Sequence, residues 1–242
     1  MKTLIVTPLV MALAACATPA SQEKTFILPQ SLATLSANAP LACQFQKSLD
    51  DGKATKTTQW YFWRSPDRTE NRDELTNQGE IWSKDAAGRF FYARLFYNEK
   101  VVLEFAPGDL AALGTNVKWD ELYSLIDTKK LGHEWPLTGT ENVSGSTLEH
   151  YAGQLKSGNA ITVDWLPQLK LAAGITKKQP EGLTKLSLSS CGAATSVAVK
   201  PITEAQLNDF RHIDFTDLGD MESDPMVQHL EKIMGTHEHE GH

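Results

Sequence analysis

Three histidines lie close together within the last six residues of the chain. They are His237, His239 and His242, and two glutamates stand among them. Imidazole nitrogens are common ligands of zinc and copper, so this pattern indicates a site that could capture or sense Zn or Cu. A zinc hydrolase would need His-Glu-x-x-His on a helix, and the order of residues here differs. The alternative interpretation is a solvated terminus without metal, and no other cofactor is predicted.

The remaining polar residues do not form a known catalytic motif. The sequence contains no Gly-x-Ser-x-Gly, no glycine-rich phosphate loop followed by Lys-Ser or Lys-Thr, and no dinucleotide fingerprint. Adjacent acids such as Asp50 and Asp51 are typical of turns, and His133 and His150 have no partner visible in the sequence. We therefore predict that the protein is not an enzyme.

The first sixteen residues have the pattern of an export signal. Lys2 precedes a short apolar stretch, which is well below the roughly 20 residues that span a bilayer. The stretch ends in Leu13, Ala14, Ala15 and Cys16, which resembles the lipobox of bacterial lipoproteins. In that family the chain is cut before the cysteine, whose thiol is acylated with chains such as palmitate. The resemblance implies a signal peptide at residues 1–15 and lipidation of Cys16, and the alternative is an ordinary secretory signal.

The residues that follow Cys16 suggest where the protein would be held. One acyl chain binds a membrane only weakly, whereas a cysteine with several chains anchors a protein stably. In the lipoprotein family an Asp after the cysteine favours the inner membrane, and here Ala17 occupies that position. We expect a protein anchored in the outer membrane and facing the periplasm, with residues 16–39 as anchor and tether.

Two further cysteines, Cys43 and Cys191, remain after the lipidated one. The compartment beyond the inner membrane is oxidising, so an even pair predicts a disulfide. Such a bridge would close a loop of roughly 150 residues and contribute about 4–5 kcal/mol in the chain-entropy model. A catalytic or metal-binding role is less favoured, since the two thiols are far apart and neither lies in a Cys-x-x-Cys motif.

The net charge of −7 is distributed unevenly along the chain. Residues 203–242 contain ten acidic and two basic residues, a net charge of −8, whereas the preceding part is balanced. Nothing here indicates nucleic acid as a partner. We expect a body at residues 40–200 and an acidic tail at residues 201–242. Asp224 and Pro225 predict the start of a short helix in this tail, and its apolar residues predict docking on the body or on a partner.

Strand patterns predominate between residues 41 and 198. An aromatic strand surrounds Trp60 and Phe62, and the segment from Ala160 to Trp165 alternates apolar and polar residues. A helix is predicted from Asn116 to Ile126, with Asn116 as its cap. Because one face of the strands is polar, the sequence predicts a mainly β (α+β) fold with a curved antiparallel sheet and short covering helices.

Several short runs resemble the LolA/LolB-like periplasmic carriers and their RseB-type sensor relatives. The runs are residues 63–68, 79–82, 85–88 and 163–167. Those proteins are incomplete β-barrels whose concave apolar side holds a lipid chain or a lipopeptide beneath short helices. The resemblance implies an incomplete β-barrel over residues 40–190 that binds a lipid, a lipoprotein or a protein partner. The carriers have no counterpart of the acidic tail.

Aromatic and aliphatic side chains are the candidates for lining such a cavity, although a place in the core is the simpler interpretation. We select Trp60, Phe62, Phe91 and Leu95. The leading hypothesis is thus a non-enzymatic envelope lipoprotein that binds its ligand on a concave face. The alternatives are a metal-handling protein that uses the terminal histidines, and an accessory lipoprotein whose acidic tail docks on a membrane complex.

Overall fold

The computed structural model of the protein describes residues 35–143, 145–180, 182–193 and 196–237, with backbone alone for the last three of these. Cys16, His239 and His242 lie outside these ranges, and the side chain of His237 is not described. The lipidation of Cys16 and the binding of a metal by the three histidines therefore stay predictions. Within the described residues, no helix has both the length and the hydrophobicity needed to span a bilayer.

In the described residues one sheet of twelve strands is present, with eleven strands in the body and β12 in the acidic segment. The strands are β1 Leu41–Asp50, β2 Thr55–Ser65, β3 Arg68–Asp73, β4 Gln78–Lys84, β5 Phe90–Phe96, β6 Val101–Phe105, β7 Leu137–Val143, β8 Ser146–Gln154, β9 Ala160–Leu166, β10 Leu171–Gln179, β11 Gly182–Gly192 and β12 Arg211–Asp214. Their spatial order is β12-β6-β5-β4-β3-β2-β1-β11-β10-β9-β8-β7. Every neighbouring pair is antiparallel except β12 and β6, which are parallel. The mainly β, open-sheet prediction is confirmed.

Four short α-helices accompany the sheet in the part of the chain that the structure describes. They are α1 Pro107–Ala112, α2 Trp119–Ser124, α3 Glu204–Asn208 and α4 Pro225–His237. The helix predicted to start at Asn116 is shorter than expected: Lys118 is its N-cap, and Leu125 ends it with a φ of 66°. The predicted start of α4 is confirmed, because the backbone N–H of Met226 donates to the Asp224 carboxylate at 2.8 Å.

The sheet is strongly curved, as the covering segment at residues 107–136 shows. Trp119 stacks on Phe90 of β5, whereas Ile126 belongs to the same buried cluster as Ile161 of β9. In a flat sheet the seven steps from β5 to β9 would span about 34 Å. Seven residues of chain reach at most about 25 Å even when fully extended. The sheet must therefore bend around this segment, and the face that the segment covers is the concave one.

The largest buried cluster lies where β1 and β11 join the two halves of the sheet. Cys43 and Cys191 stand directly opposite each other in these strands and form a disulfide. Phe45 and Leu188 are a neighbouring pair in the same cluster. The bridge thus joins the first strand of the body to the last strand before the acidic segment.

The acidic segment is part of the same fold through residue 234. Strand β12 extends the sheet beside β6, and Ile213 is buried with Leu103. Val227 and Leu230 of α4 are fully buried against the same cluster. The structure therefore shows the acidic segment docked on the body, which is one of the two predicted outcomes. Its buried apolar residues pack against β5 and β6 in this contact.

Candidate ligand-binding site on the concave face

The strand register divides the four selected cavity residues between the two faces of the sheet. Phe62 lies opposite Cys43, and Trp60 opposite Phe45, all on the concave face. Phe91 and Leu95 belong to alternate positions of β5 that point to the other face. Leu95 is fully buried there, in a cluster that α3 helps to cover, whereas Phe91 is 38% exposed. The four residues therefore do not line one surface, although Trp60 does line a concave-face cavity.

Beside Trp60 the floor of the concave face is polar. We call this the polar strip: Asn71 and Asp73 of β3, Gln78 and Glu80 of β4, and Arg94 of β5. The register places Asp73 between Trp60 and Gln78, and it places Glu80 between Asn71 and Arg94. The strip could not be predicted from the sequence, because the short strands β3 and β4 carry polar residues on both faces and their alternation gives no apolar side.

Side chains of the polar strip are paired with one another or with neighbours. Asp73 accepts from Lys47 at 2.8 Å, and Gln78 accepts from Arg94 at 3.1 Å. Glu80 accepts from Asn71 and from the Tyr92 hydroxyl, both at 3.0 Å. Burial raises the pKa of Tyr92, which keeps its hydroxyl protonated as a donor. A cavity of about 320 Å³ opens over this strip.

A second concave-face cavity, which we call the apolar cavity, lies between the covering segment and strands β9 and β10. Its volume is about 370 Å³. Six apolar side chains line it, namely Leu125, Ile126, Trp135, Leu155, Ile161 and Ile175. Six charged side chains also line it: Lys118, Lys130, Lys156, Lys177, Glu121 and Asp127. A volume of this size is at the lower end of the range for small-molecule sites.

The lysines of the apolar cavity differ in how they are paired. Lys118 forms ion pairs with Glu121 and Asp127, at 2.6 and 3.0 Å. Lys130 contacts Glu134 at 3.2 Å. No ion-pair partner for Lys156 or Lys177 is present among the residues that the structure describes. Two cations at the mouth are therefore available to an anionic group on a ligand.

Arg64 holds the covering segment against the sheet. Its guanidinium, on the concave face of β2, is 3% exposed and donates to the backbone carbonyls of Tyr123, Lys170, Ala37 and Leu169. It also lies 4.0 Å from the centre of the Tyr123 ring. Burial lowers the pKa of Arg64 to about 10, which leaves it charged at neutral pH. A third cavity, of about 380 Å³, lies next to α2 and is lined by residues that include Trp119 and Trp165.

The described histidines do not cluster into a metal site. No group of three or more metal-ligating side chains occurs in the described ranges. His150, for which the sequence showed no partner, lies with its Nδ1 2.8 Å from Asp164 on the adjacent strand β9. His212 similarly contacts Glu104 of β6 at 3.1 Å. These pairs depend on strand register and so could not be found from sequence spacing.

No family model and no curated protein matches the chain. Among solved structures, an uncharacterized conserved protein from Thermus thermophilus is similar, with 9% identity, a TM-score of 0.45, and coverage of 73% of this chain and 91% of that one. The Pseudomonas aeruginosa MucA/MucB complex is similar at 12% identity and a TM-score of 0.33, over 72% and 58%. A LolA superfamily protein from Nitrosomonas europaea is similar at 6% identity and a TM-score of 0.30, over 73% and 93%.

Proposed function

We propose that this chain is a non-enzymatic, lipid-anchored envelope protein that binds the acyl chain of an amphiphile on its concave face. The observation that carries the proposal is the apolar cavity, with its floor of aliphatic and aromatic side chains and its lysine-bearing mouth. Cys16 would hold the protein on the outer membrane, in line with its lipobox-like sequence.

The composition of the cavity fits an amphiphile better than a wholly polar ligand. Burying each methylene of an acyl chain contributes about 0.8 kcal/mol, so Ile161 and Ile175 provide a favourable environment for one end of the molecule. Lys156 and Lys177 would pair with a carboxylate or phosphate at the other end. The lining contains no arrangement of nucleophile and base that would act on the bound molecule.

The test is native mass spectrometry of a soluble form that begins at Ala17. We expect co-purified lipid, and we expect a fluorescent acyl probe to bind saturably. Ile175→Trp, which fills the cavity, should weaken probe binding at least about tenfold. Leu183→Trp, at a position 37% exposed, is the matched control and should bind normally. Absence of both lipid and probe binding in a folded protein would contradict the proposal.

A further inference from the structure

The cavity over the polar strip has a different chemistry from the apolar cavity. Trp60 is its one aromatic lining residue in the described part of the chain, and the other lining side chains are polar apart from Gly79. An acyl chain would have to displace water from carboxylate, amide and guanidinium groups there without replacing their hydrogen bonds, which is unfavourable. The ligand of this cavity must therefore be polar.

Charge in this cavity is balanced, which argues against a charged ligand. Two cations, Lys47 and Arg94, face two anions, Asp73 and Glu80. Lys47 and Asp73 are already paired at 2.8 Å, and Glu80 accepts two hydrogen bonds within the protein. A polyanion or polycation would be repelled by one member of each pair. A neutral molecule meets no such penalty.

The same groups are suited to hydroxyls. A hydroxyl both donates and accepts hydrogen bonds, and this cavity offers donors on Arg94 and Thr76 next to acceptors on Gln78 and Asp73. The indole of Trp60 adds an apolar flat surface on which the C–H face of a sugar ring can pack. A partly exposed tryptophan beside planar polar side chains thus fits a pyranose ring.

We propose that the cavity over the polar strip is a saccharide-binding site that takes a neutral pyranose unit of a glycan. The volume of about 320 Å³ is large enough for a small ligand. The site uses residues separate from those of the apolar cavity, so it stands whether or not an acyl chain binds there. Two envelope polymers could supply such a ring: the glycan strand of the cell wall, and the oligosaccharide of lipopolysaccharide.

Saturation-transfer NMR on the soluble protein tests the proposal with three probes. They are the N-acetylglucosamine disaccharide as a neutral piece of the cell-wall glycan, a neutral glucose–galactose disaccharide as a model of the lipopolysaccharide oligosaccharide, and the cell-wall stem peptide alone. We expect saturable transfer to ring protons of one saccharide, which identifies the source. Transfer to the stem peptide alone, or to none of the three, would overturn the proposal.

Variants locate the binding and keep folding separate from recognition. Trp60→Leu and Gln78→Leu should each weaken saccharide binding at least about tenfold, while Trp60→Phe, which keeps an aromatic surface, should retain most of it. Phe91→Leu removes an exposed aromatic from the opposite face and is the matched control. Thermal unfolding of each variant shows that it folds. Binding that is the same in Trp60→Leu, Gln78→Leu and the control would place the saccharide elsewhere.

Discussion

Glu70 is a buried carboxyl that ties the chain after β11 to the sheet. It is 2% exposed, accepts from the Ile202 backbone N–H at 2.7 Å and pairs with Arg68 at 2.8 Å. Burial raises the pKa of Glu70 above its usual 4.5. The folded state therefore holds this proton more tightly than the unfolded state. Its stabilising effect is complete below pH 4.5 and is lost as the pH rises through the raised pKa.

We predict that Glu70→Gln gains stability relative to the parent protein as the pH rises from 4.5 towards about 7. Glutamine keeps an acceptor for Ile202 but never carries the buried charge. Urea unfolding of both proteins across this range measures the difference. A difference in unfolding free energy that does not change with pH would contradict the prediction. Asp51→Asn, at an exposed turn, serves as the control.

At the residue scale, the sequence predicted apolar positions better than polar ones. Trp60 and Phe62 lie on a common face, since alternation within one strand fixes their relation. The face on which Leu95 lies could not be predicted in this way. Its side relative to Trp60 depends on the register of the three strand pairs between β2 and β5. The pairing of Arg94 with Gln78 depends on that register too.

Among the elements, the covering segment is tied to β2 by one buried side chain, because Arg64 donates to the Tyr123 carbonyl and lies against the Tyr123 ring. Arg64→Met would leave the carbonyls of Tyr123, Lys170 and Leu169 without this donor. We predict a loss of about 3 kcal/mol or more in unfolding free energy, since buried carbonyls lose hydrogen bonds to a charged group. Urea unfolding gives the loss, and faster amide hydrogen exchange in α2 than in β4 would show where it acts.

Arg68→Met is the matched control for this substitution. Arg68 lies on the neighbouring strand with its side chain 39% exposed, and its pairing is with Glu70 alone in the described structure. The amide exchange of α2 should stay at the parent level in this variant. Equal effects of the two substitutions on α2 would rule out the specific role of Arg64.

The prediction of elements succeeded where periodicity or capping was strong. The aromatic strand β2, strand β9 and the start of α4 were all predicted from local pattern. Strands β1, β3, β7, β10 and β12 were not predicted. Strand β7, with the sequence LTGTENV, is exposed along most of its length and lies at the edge of the sheet, so no alternation of buried side chains marks it.

For the whole molecule, the disulfide reinforces the strand pair β1–β11, through which the two halves of the sheet are hydrogen-bonded. We predict that replacing both Cys43 and Cys191 by alanine lowers the unfolding free energy by about 4–5 kcal/mol, because the unfolded chain regains the freedom of a long loop. Urea unfolding under oxidising conditions measures this. The parent protein with its bond reduced should lose a similar amount. A loss below about 1 kcal/mol would show that pairing of β1 and β11 suffices alone.

The proposed lipid on Cys16 would determine where the whole molecule is held. We predict that Cys16→Ser abolishes incorporation of labelled palmitate and releases the protein from the membrane fraction, since the acylated thiol is lost. Ala17→Asp should retain the label but shift the protein to the inner membrane, as the resemblance to lipoproteins implies. Labelling that persists in Cys16→Ser would place the lipid on another residue.

The pairing of β1 with β11 limits the order in which the sheet can assemble. The chain is made amino terminus first, so β1 can pair with β2 early. The other neighbour of β1 is β11, which lies far along the sequence, with Cys191 148 positions after Cys43. During that interval an incomplete sheet exposes an unpaired strand edge in its middle, which invites misassociation. A folding helper would act in this window, and the disulfide can form only after Cys191 has joined the chain.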